Sequence, residues 1–298
     1  MKKEPQNEWS GKSRGGASGY LIFVFIIRRA GLGAAYALLS LVALYFIPFA
    51  PRATASAWQF SRHILKKGKF ASALFVYRNF LNLGISLIDK TAVSAGEDKK
   101  FTFEFDEPEN VSEILAGNSG AVIIGAHFGN WEVGAPYFGK YGKKMRVVMM
   151  DAEYQSIKKV LQAQNRLDAF SPIPITDDSF SHIFEIRDSL GRGEYVAMQG
   201  DRLTPNGKSS EIIFMGKPAL FPLGPFVLAA RFGYPVIFYF AVRTGLRKYR
   251  FHFSLYEPLK RDSGVKPETD ILNAYTAYLE TVVAKSPEQW YNFYKFWL

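Results

Sequence analysis

The stretch Gly120-Ala-Val-Ile-Ile-Gly125-Ala-His127-Phe-Gly-Asn-Trp-Glu132 decides the fold of this chain. Its first six residues form a short, continuous apolar run, which is typical of a strand buried on both faces. Glycine and polar residues follow at once, as they do where a strand turns into a helix. The stretch therefore predicts a strand, then a turn that carries His127, then a helix that carries Glu132.

The same pattern recurs along the chain. Further apolar runs that read as strands lie at 146–150, 194–198 and 235–240, and an alternating run lies at 101–105. Helical patterns lie at 59–90, 130–141, 154–168, 179–190 and 222–231. Strands that alternate with helices predict an α/β fold, layered, with a largely parallel central sheet flanked by helices. In such a sheet, ligands bind at the carboxyl ends of the strands.

The N-terminal part is different in character. Residues 30–51 contain no charge, and a helix of that length spans about 33 Å, roughly one hydrocarbon core. A second apolar run, 20–27, precedes it. We predict a retained membrane-anchor helix, with residues 1–58 as basic tail and anchor and 59–298 as the catalytic domain. The alternatives are a hairpin, a helix that lies in the membrane interface, a buried helix of a soluble protein and a cleaved signal peptide.

The charge is concentrated in the same region. The formal net charge is +10, and residues 1–70 hold eleven basic and two acidic residues, a net of +9. A nearly neutral body behind a basic, apolar segment favours an anionic membrane surface over nucleic acid as the partner. The chain has no cysteine, which excludes disulfides, thiolate nucleophiles and cysteine-based metal sites.

His127 and Glu132 suggest acid–base chemistry. On one regular helix they would lie about 140° apart, so they meet only if His127 lies in the turn before the helix. The Glu132 carboxylate would then accept the Nδ1–H of His127, which leaves Nε2 to act as a general base. The alternative is a histidine that caps the helix and a glutamate that is solvated. A metal site is disfavoured because no second ligand lies at suitable spacing.

A second polar group follows the strand at 194–198. Asp201 and Arg202 place an acid and a forked donor at the same edge of the sheet as His127. Arg202 either holds a phosphate or carboxylate, or forms an internal salt bridge that shapes the loop. Arg166 is a further candidate for binding an anion, and its alternative is a solvated helix face.

Four blocks together resemble one known family. These are His127-x4-Glu132, Gly200-Asp-Arg202, the run 214–229 and Ser286-Pro-Glu-Gln-Trp290. In this order they resemble the lipid A biosynthesis (lauroyl/myristoyl) acyltransferases of the lysophospholipid acyltransferase superfamily. The resemblance covers residues 20–298.

The resemblance implies a bacterial inner-membrane enzyme whose catalytic domain faces the cytoplasm. It would move a fatty acyl chain from acyl carrier protein (ACP) or coenzyme A (CoA) to a hydroxyl or amine of a lipid, either a lipid A precursor or a related glycolipid or aminolipid. No cofactor beyond that thioester co-substrate is implied. His127 and Glu132 match the catalytic dyad, and Arg166, Asp201 and Arg202 match substrate-binding positions.

The thioester is already activated, so the enzyme needs only a base and oxyanion donors. We expect the donors to be backbone N–H groups at Gly129 and Asn130, at the start of the helix. Two other functions are compatible with the fold: a catalytically silent lipid-binding protein and a lipid hydrolase. The presence of both His127 and Glu132 argues against the first, and the lack of a credible serine or cysteine nucleophile argues against the second.

Overall fold

The computed structural model describes residues 16–150, 171–175, 180–204, 207–258 and 264–298. In these ranges the strands are β1 (Thr102–Asp106), β2 (Ala121–Gly125), β3 (Met145–Met150), β4 (Ser171–Ile175), β5 (Tyr195–Gln199), β6 (Ser209–Phe214), β7 (Lys217–Pro222), β8 (Val236–Gly245) and β9 (Lys248–Leu255). Seven of them form one sheet in the order β1-β9-β8-β2-β5-β3-β4, and β6 and β7 form a separate hairpin.

The central sheet is mostly parallel. Strand β2 lies in its middle and pairs in parallel with both β8 and β5, and the pairs β5–β3 and β3–β4 are also parallel. The one antiparallel pair of this sheet is β8–β9, because a tight turn joins these two strands directly. The predicted layered α/β fold with a largely parallel sheet is therefore confirmed.

The predicted strands all occur, and the described residues contain four more strands that the sequence patterns did not predict. Strands β4, β6, β7 and β9 have partly exposed faces and contain prolines or charged residues, so they do not form continuous apolar runs. Such strands depend on their neighbours in the sheet rather than on local pattern.

Helices cover both faces of the sheet. Among the described residues the α-helices are α1 (Gly16–Phe49), α2 (Pro51–Gln59), α3 (Lys69–Ala92), α4 (Glu109–Ala116), α5 (Ala135–Gly139), α6 (Ser181–Gly191), α7 (Gly224–Phe232) and α8 (Pro267–Lys285). Alternate residues of β2 point to opposite sides. Val122 and Ile124 join the core that contains α7 and α8, and Ala121 and Ile123 join the core that contains α1 and α3. The predicted helix at 154–168 lies outside the described residues.

Helix α1 is interrupted at Gly31, whose φ of 79° and ψ of 176° are not helical, so it consists of two helical stretches. Residues at helical spacing along it, including Leu32, Ala35 and Leu39, are buried in the core shared with α3. The other side exposes large apolar side chains to the surroundings: Ile22, Phe25, Leu41, Leu44, Tyr45 and Phe49.

Two of the described helical stretches, Ile22–Phe49 and Lys69–Lys100, are long and apolar enough to cross a membrane. The second is more buried than the first, because α3 packs in one core with α1 and residues of the sheet. An N-terminal apolar helix is thus confirmed. The domain boundary at residue 58 stays a prediction.

Candidate active site

His127 and Asp201 meet because their strands are neighbours in the sheet. His127 lies two residues beyond β2, and Asp201 lies two residues beyond β5, which pairs with β2 in register from Ala121–Tyr195 to Gly125–Gln199. Parallel strands bring their carboxyl ends to one edge. Residues 74 positions apart in the chain therefore come into contact at this edge.

The contact joins the imidazole to the carboxylate. Nδ1 of His127 and Oδ1 of Asp201 are 2.7 Å apart. A carboxylate only accepts, so Nδ1 carries a proton, and in the neutral form of the ring Nε2 has the free lone pair. The backbone N–H of His127 also donates to both carboxylate oxygens, at 3.1 and 3.0 Å. The histidine is thus held by its ring and by its backbone.

Asp201 is ionised in these surroundings. Burial by itself raises the pKa of Asp201, but the charge and hydrogen bond of His127, followed by the charge of Arg202 and the hydrogen bond from Trp290, outweigh it. The net effect is a pKa below the ordinary value of an aspartate. The carboxyl group is 2% exposed, whereas the His127 side chain is 21% exposed and so can be reached from outside.

Glu132 does not lie against His127 Nδ1 as predicted. Its carboxylate forms an ion pair with Lys90 of α3, with Oε2 and Nζ 2.6 Å apart. The turn after His127 runs into a single 3₁₀ turn, Trp131–Gly134, which carries Glu132, and the Nδ1 position is already taken by Asp201. The predicted partner of His127 was wrong because the contact is made across the sheet and not along the chain.

The backbone N–H groups of Gly129 and Asn130 were predicted to bind an oxyanion. In the structure, Gly129 N–H donates to the carbonyl of Gln289 at 2.8 Å, and Asn130 N–H donates to the carbonyl of Ala241 at 2.9 Å. Both donors are therefore engaged, and this contradicts the prediction. Asn130 is buried, and its side chain donates to the carbonyl of Ser86 at 2.9 Å. These two residues hold the His127 loop against β8, α3 and the C-terminal segment.

The C-terminal segment 287–298 completes the site, a role that the sequence reading did not assign. Trp290 Nε1–H donates to Oδ2 of Asp201 at 3.0 Å, and the Tyr294 hydroxyl donates to the Asp201 carbonyl at 2.9 Å. The N–H of Tyr291 donates to the carbonyl of His127 at 2.8 Å. The rings of Trp290, Phe296 and Trp297 pack in the core. The hydrogen bonds of the segment to the site left no signal in the sequence.

Two amide side chains near the site have buried polar atoms. Both Nδ2 and Oδ1 of Asn292 are buried, and its side chain interacts with the Tyr294 hydroxyl, whereas Gln199 has an Oε1 without a partner in the described part of the chain. Asn292 lies between Tyr291, which contacts His127, and Tyr294, which contacts Asp201. Buried polar groups without partners are uncommon, and they often occur where a ligand binds.

Arg202 lies beside the site, where one of its guanidinium N–H groups donates to the carbonyl of Tyr291 at 3.2 Å. It therefore anchors the C-terminal segment, and its predicted contact with a substrate anion stays a prediction. Arg166 lies outside the described residues. Among those that are described, no group of three His, Asp or Glu side chains is arranged around a common metal position.

A layered α/β fold with a histidine–carboxylate pair at the carboxyl edge of its sheet defines a class of candidate enzymes that act by general base catalysis. Comparison with known protein families assigns the chain to one family. The family model of bacterial lipid A biosynthesis acyltransferases matches residues 8–298, almost the whole chain. The protein therefore belongs to the bacterial lipid A biosynthesis acyltransferase family, as the sequence motifs suggested. No curated protein sequence gives a significant match.

Proposed function

We propose that this protein transfers a fatty acyl chain from a thioester to a hydroxyl or amine of a membrane lipid, with His127 as general base and Asp201 as the residue that positions it. The observation that carries the proposal is the 2.7 Å contact between Nδ1 of His127 and the buried carboxylate of Asp201. It leaves Nε2 free to take the proton of the attacking group.

The reaction follows from this arrangement. The acceptor oxygen or nitrogen loses its proton to Nε2 and attacks the thioester carbonyl, forming a tetrahedral intermediate with a negatively charged oxygen. The intermediate collapses, the carbon–sulfur bond breaks, and the imidazolium returns the proton to the thiolate of the donor. Asp201 stabilises the imidazolium meanwhile, because its carboxylate is ionised and in contact with the ring.

The oxyanion requires a hydrogen-bond donor other than the N–H groups of Gly129 and Asn130. We assign this role to the side-chain amide of Asn292. Two observations support the assignment: the amide is buried, and its neighbours in the chain, Tyr291 and Tyr294, contact both members of the pair. A fixed donor of this kind lowers the barrier without reorganisation.

The donor is acyl-ACP or acyl-CoA, and the acceptor is a lipid A precursor or a related glycolipid or aminolipid. Family membership and the apolar surface of α1 support this substrate class. The same features support a location at the bacterial inner membrane, with the site on the cytoplasmic side where these thioesters are found.

The test is acyl transfer by full-length protein in detergent, with radiolabelled acyl donors and a lipid extract as acceptor. His127→Ala should abolish transfer, and Asp201→Asn should lower kcat by about 10²–10⁴-fold, the usual contribution of a general base and its support.

The matched controls are His252→Ala and Asp106→Asn. These residues form the chain's other described His–Asp pair, with Nδ1 and Oδ2 3.1 Å apart, and Asp106 is 72% exposed. Both controls should keep near-normal turnover. If His127→Ala or Asp201→Asn retains normal kcat, the mechanism is wrong; if water is the only acceptor used, the protein is a hydrolase.

The Glu132 prediction is tested in the same assay. If Glu132 acts through its ion pair with Lys90, then Glu132→Gln and Lys90→Met should lower turnover to a similar extent. Normal turnover in Asp201→Asn together with a complete loss in Glu132→Gln would restore Glu132 as the partner of His127.

A further inference from the structure

A polar cavity lies beside the active-site loop, at the end of β8. It has a volume of about 330 Å³ and is lined by Arg78, Leu81, Asn82, Arg243, Thr244, Gly245, Glu288 and Gln289. None of these residues belongs to the proposed catalytic pair. The cavity is distinct from the site at His127, although Gln289 adjoins Trp290, which contacts Asp201.

Neither arginine of this cavity forms an ion pair in the described part of the chain. Arg78 is exposed and makes no hydrogen bond or ion pair with any residue that the structure describes. Arg243 is half-buried, and its guanidinium donates to the side-chain oxygen of Asn82 and to the carbonyl of Gly245. Both of these partners are uncharged, and the carboxyl that the charge of Arg243 acts on is that of the buried Asp89, which does not line the cavity. Glu288 is the one carboxylate of the lining, and it forms no described ion pair with either arginine.

Two guanidinium groups that share one cavity are well suited to a phosphate group. Guanidinium presents several N–H donors in a plane and binds phosphate oxygens in pairs. The hydrogen bonds that Arg243 makes to Asn82 and Gly245 hold its side chain in place before any ligand arrives, which reduces the entropy lost on binding.

The surface next to Arg78 is apolar. On α3, Leu74 and Phe70 lie one and two helical turns before Arg78 on the same face, and they are 40% and 87% exposed. Large apolar side chains of α1 are exposed as well, among them Leu44 and Phe49. An apolar strip that leads to an arginine-lined cavity matches a molecule with apolar chains and an anionic head.

We infer that the cavity between Arg78 and Arg243 binds the phosphate headgroup of a membrane phospholipid, whose acyl chains lie along the strip of Phe70 and Leu74. The inference does not depend on acyl transfer. It predicts that the enzyme holds an anionic lipid beside its active site even when His127 is replaced.

The experiment is native mass spectrometry of the full-length protein in detergent. The probes are phosphatidic acid, diacylglycerol with the same chains, and inorganic phosphate. We expect phosphatidic acid to bind. Diacylglycerol lacks the phosphate and inorganic phosphate lacks the acyl chains, so both should bind far more weakly. Arg78→Gln should weaken binding of phosphatidic acid about tenfold, the effect of losing one charge-assisted contact, and Arg78→Lys should recover part of it.

The matched control is Lys69→Gln, which removes one exposed charge from the same helix and should bind phosphatidic acid normally. His127→Ala should also bind normally, so a failure of the catalytic proposal and a failure of this one can be told apart. An equal loss in Lys69→Gln and Arg78→Gln would mean general charge attraction and would overturn the assignment. So would diacylglycerol binding as tightly as phosphatidic acid, or a protein that binds inorganic phosphate but not the lipid.

Discussion

At the scale of single residues, the site depends on one buried carboxylate. Asp201 accepts hydrogen bonds from the His127 ring, the His127 backbone and the Trp290 indole. Removing it would leave several buried donors without a partner, and each such donor costs about 1–3 kcal/mol. The same residue therefore contributes to stability and to the orientation of the base.

The pKa of Asp201 gives a pH-dependent prediction. Because its folded-state pKa is depressed, the carboxylate contributes stability that is present above the pKa of the unfolded chain, about 3.9, and that is lost as the pH falls through the lower folded-state pKa. Asp201→Asn lacks this contribution at every pH. The gap in unfolding free energy between wild type and Asp201→Asn should be largest near neutral pH and should narrow in acid.

This gap can be followed by chemical unfolding in detergent across a pH series. Asp106→Asn, which alters an exposed aspartate, is the control and should show little gap at any pH. A gap for Asp201→Asn that widens in acid would show that the carboxylate is destabilised, not stabilised, in the folded protein.

Asn292 gives a second prediction at this scale. If its amide donates to the oxyanion, Asn292→Ala should lower kcat by about 10²–10³-fold, as the loss of one such donor does in other enzymes, with KM little changed. Stability should fall by about 1 kcal/mol, the usual net worth of one hydrogen bond, because the amide interacts with the Tyr294 hydroxyl. Steady-state kinetics of acyl transfer measure both parameters, and a change confined to KM would instead assign Asn292 to substrate binding.

At the scale of elements, the loop after β2 is fixed by its contacts with three other parts of the chain. Gly129 bonds to the C-terminal segment, Asn130 bonds to β8 and α3, and the Ser86 hydroxyl of α3 donates to the carbonyl of Gly129 at 3.3 Å. Gly129 has a φ of +62°, and a Cβ there would lie 1.8 Å from the carbonyl oxygen of Ala241. Only glycine allows this close approach of two backbones.

Gly129→Ala should therefore displace the loop and lower acyl transfer by more than about tenfold, since small misplacements of catalytic groups are costly. Gly142→Ala is the matched control: its φ is +69°, but a Cβ would meet no atom within 4 Å. Gly142→Ala should lose only the stability that an alanine costs at a positive φ, and it should keep most of its activity. Equal activity in the two variants would mean that the Ala241 contact does not position His127.

The strands also show which elements local sequence patterns can predict. The apolar runs identified β2, β3, β5 and the first part of β8, because strands covered on both faces need apolar residues throughout. They did not identify β9, which lies near the edge of the sheet and alternates buried with exposed residues, among them Arg250.

At the scale of the whole molecule, the apolar N-terminal helix is part of the folded protein as well as a membrane-facing surface. One side of α1 packs on α3, and the Tyr36 hydroxyl donates to the buried Asp89 of α3 at 2.6 Å. Deleting α1 would expose the core residues Ile85 and Ile88 of α3. A truncated protein is therefore a poor test of membrane attachment.

The exposed side of α1 is the better target. A triple variant of Phe25, Leu44 and Phe49 to Gln should lower binding to vesicles that contain anionic lipid by at least about tenfold, because it removes the apolar area that would enter the membrane. The control replaces three exposed apolar residues elsewhere with Gln, namely Phe180, Ile213 and Leu246. Vesicle flotation compares the two, and equal loss in both would mean that α1 is not the membrane-facing surface.

The sequence by itself determined the layered α/β architecture, the apolar N-terminal helix, and the position of His127 just beyond a central strand. These follow from patterns that are local in the chain, since burial on both faces of a strand requires an apolar run wherever it occurs. Only the tertiary structure decided which group holds Nδ1 of His127, because the choice depends on the order of strands in the sheet. Placing β5 next to β2 brings Asp201 to the imidazole across 74 residues, whereas Glu132, five residues away, pairs with Lys90. The use of the Gly129 and Asn130 N–H groups was likewise decided by long-range backbone contacts that no local pattern records.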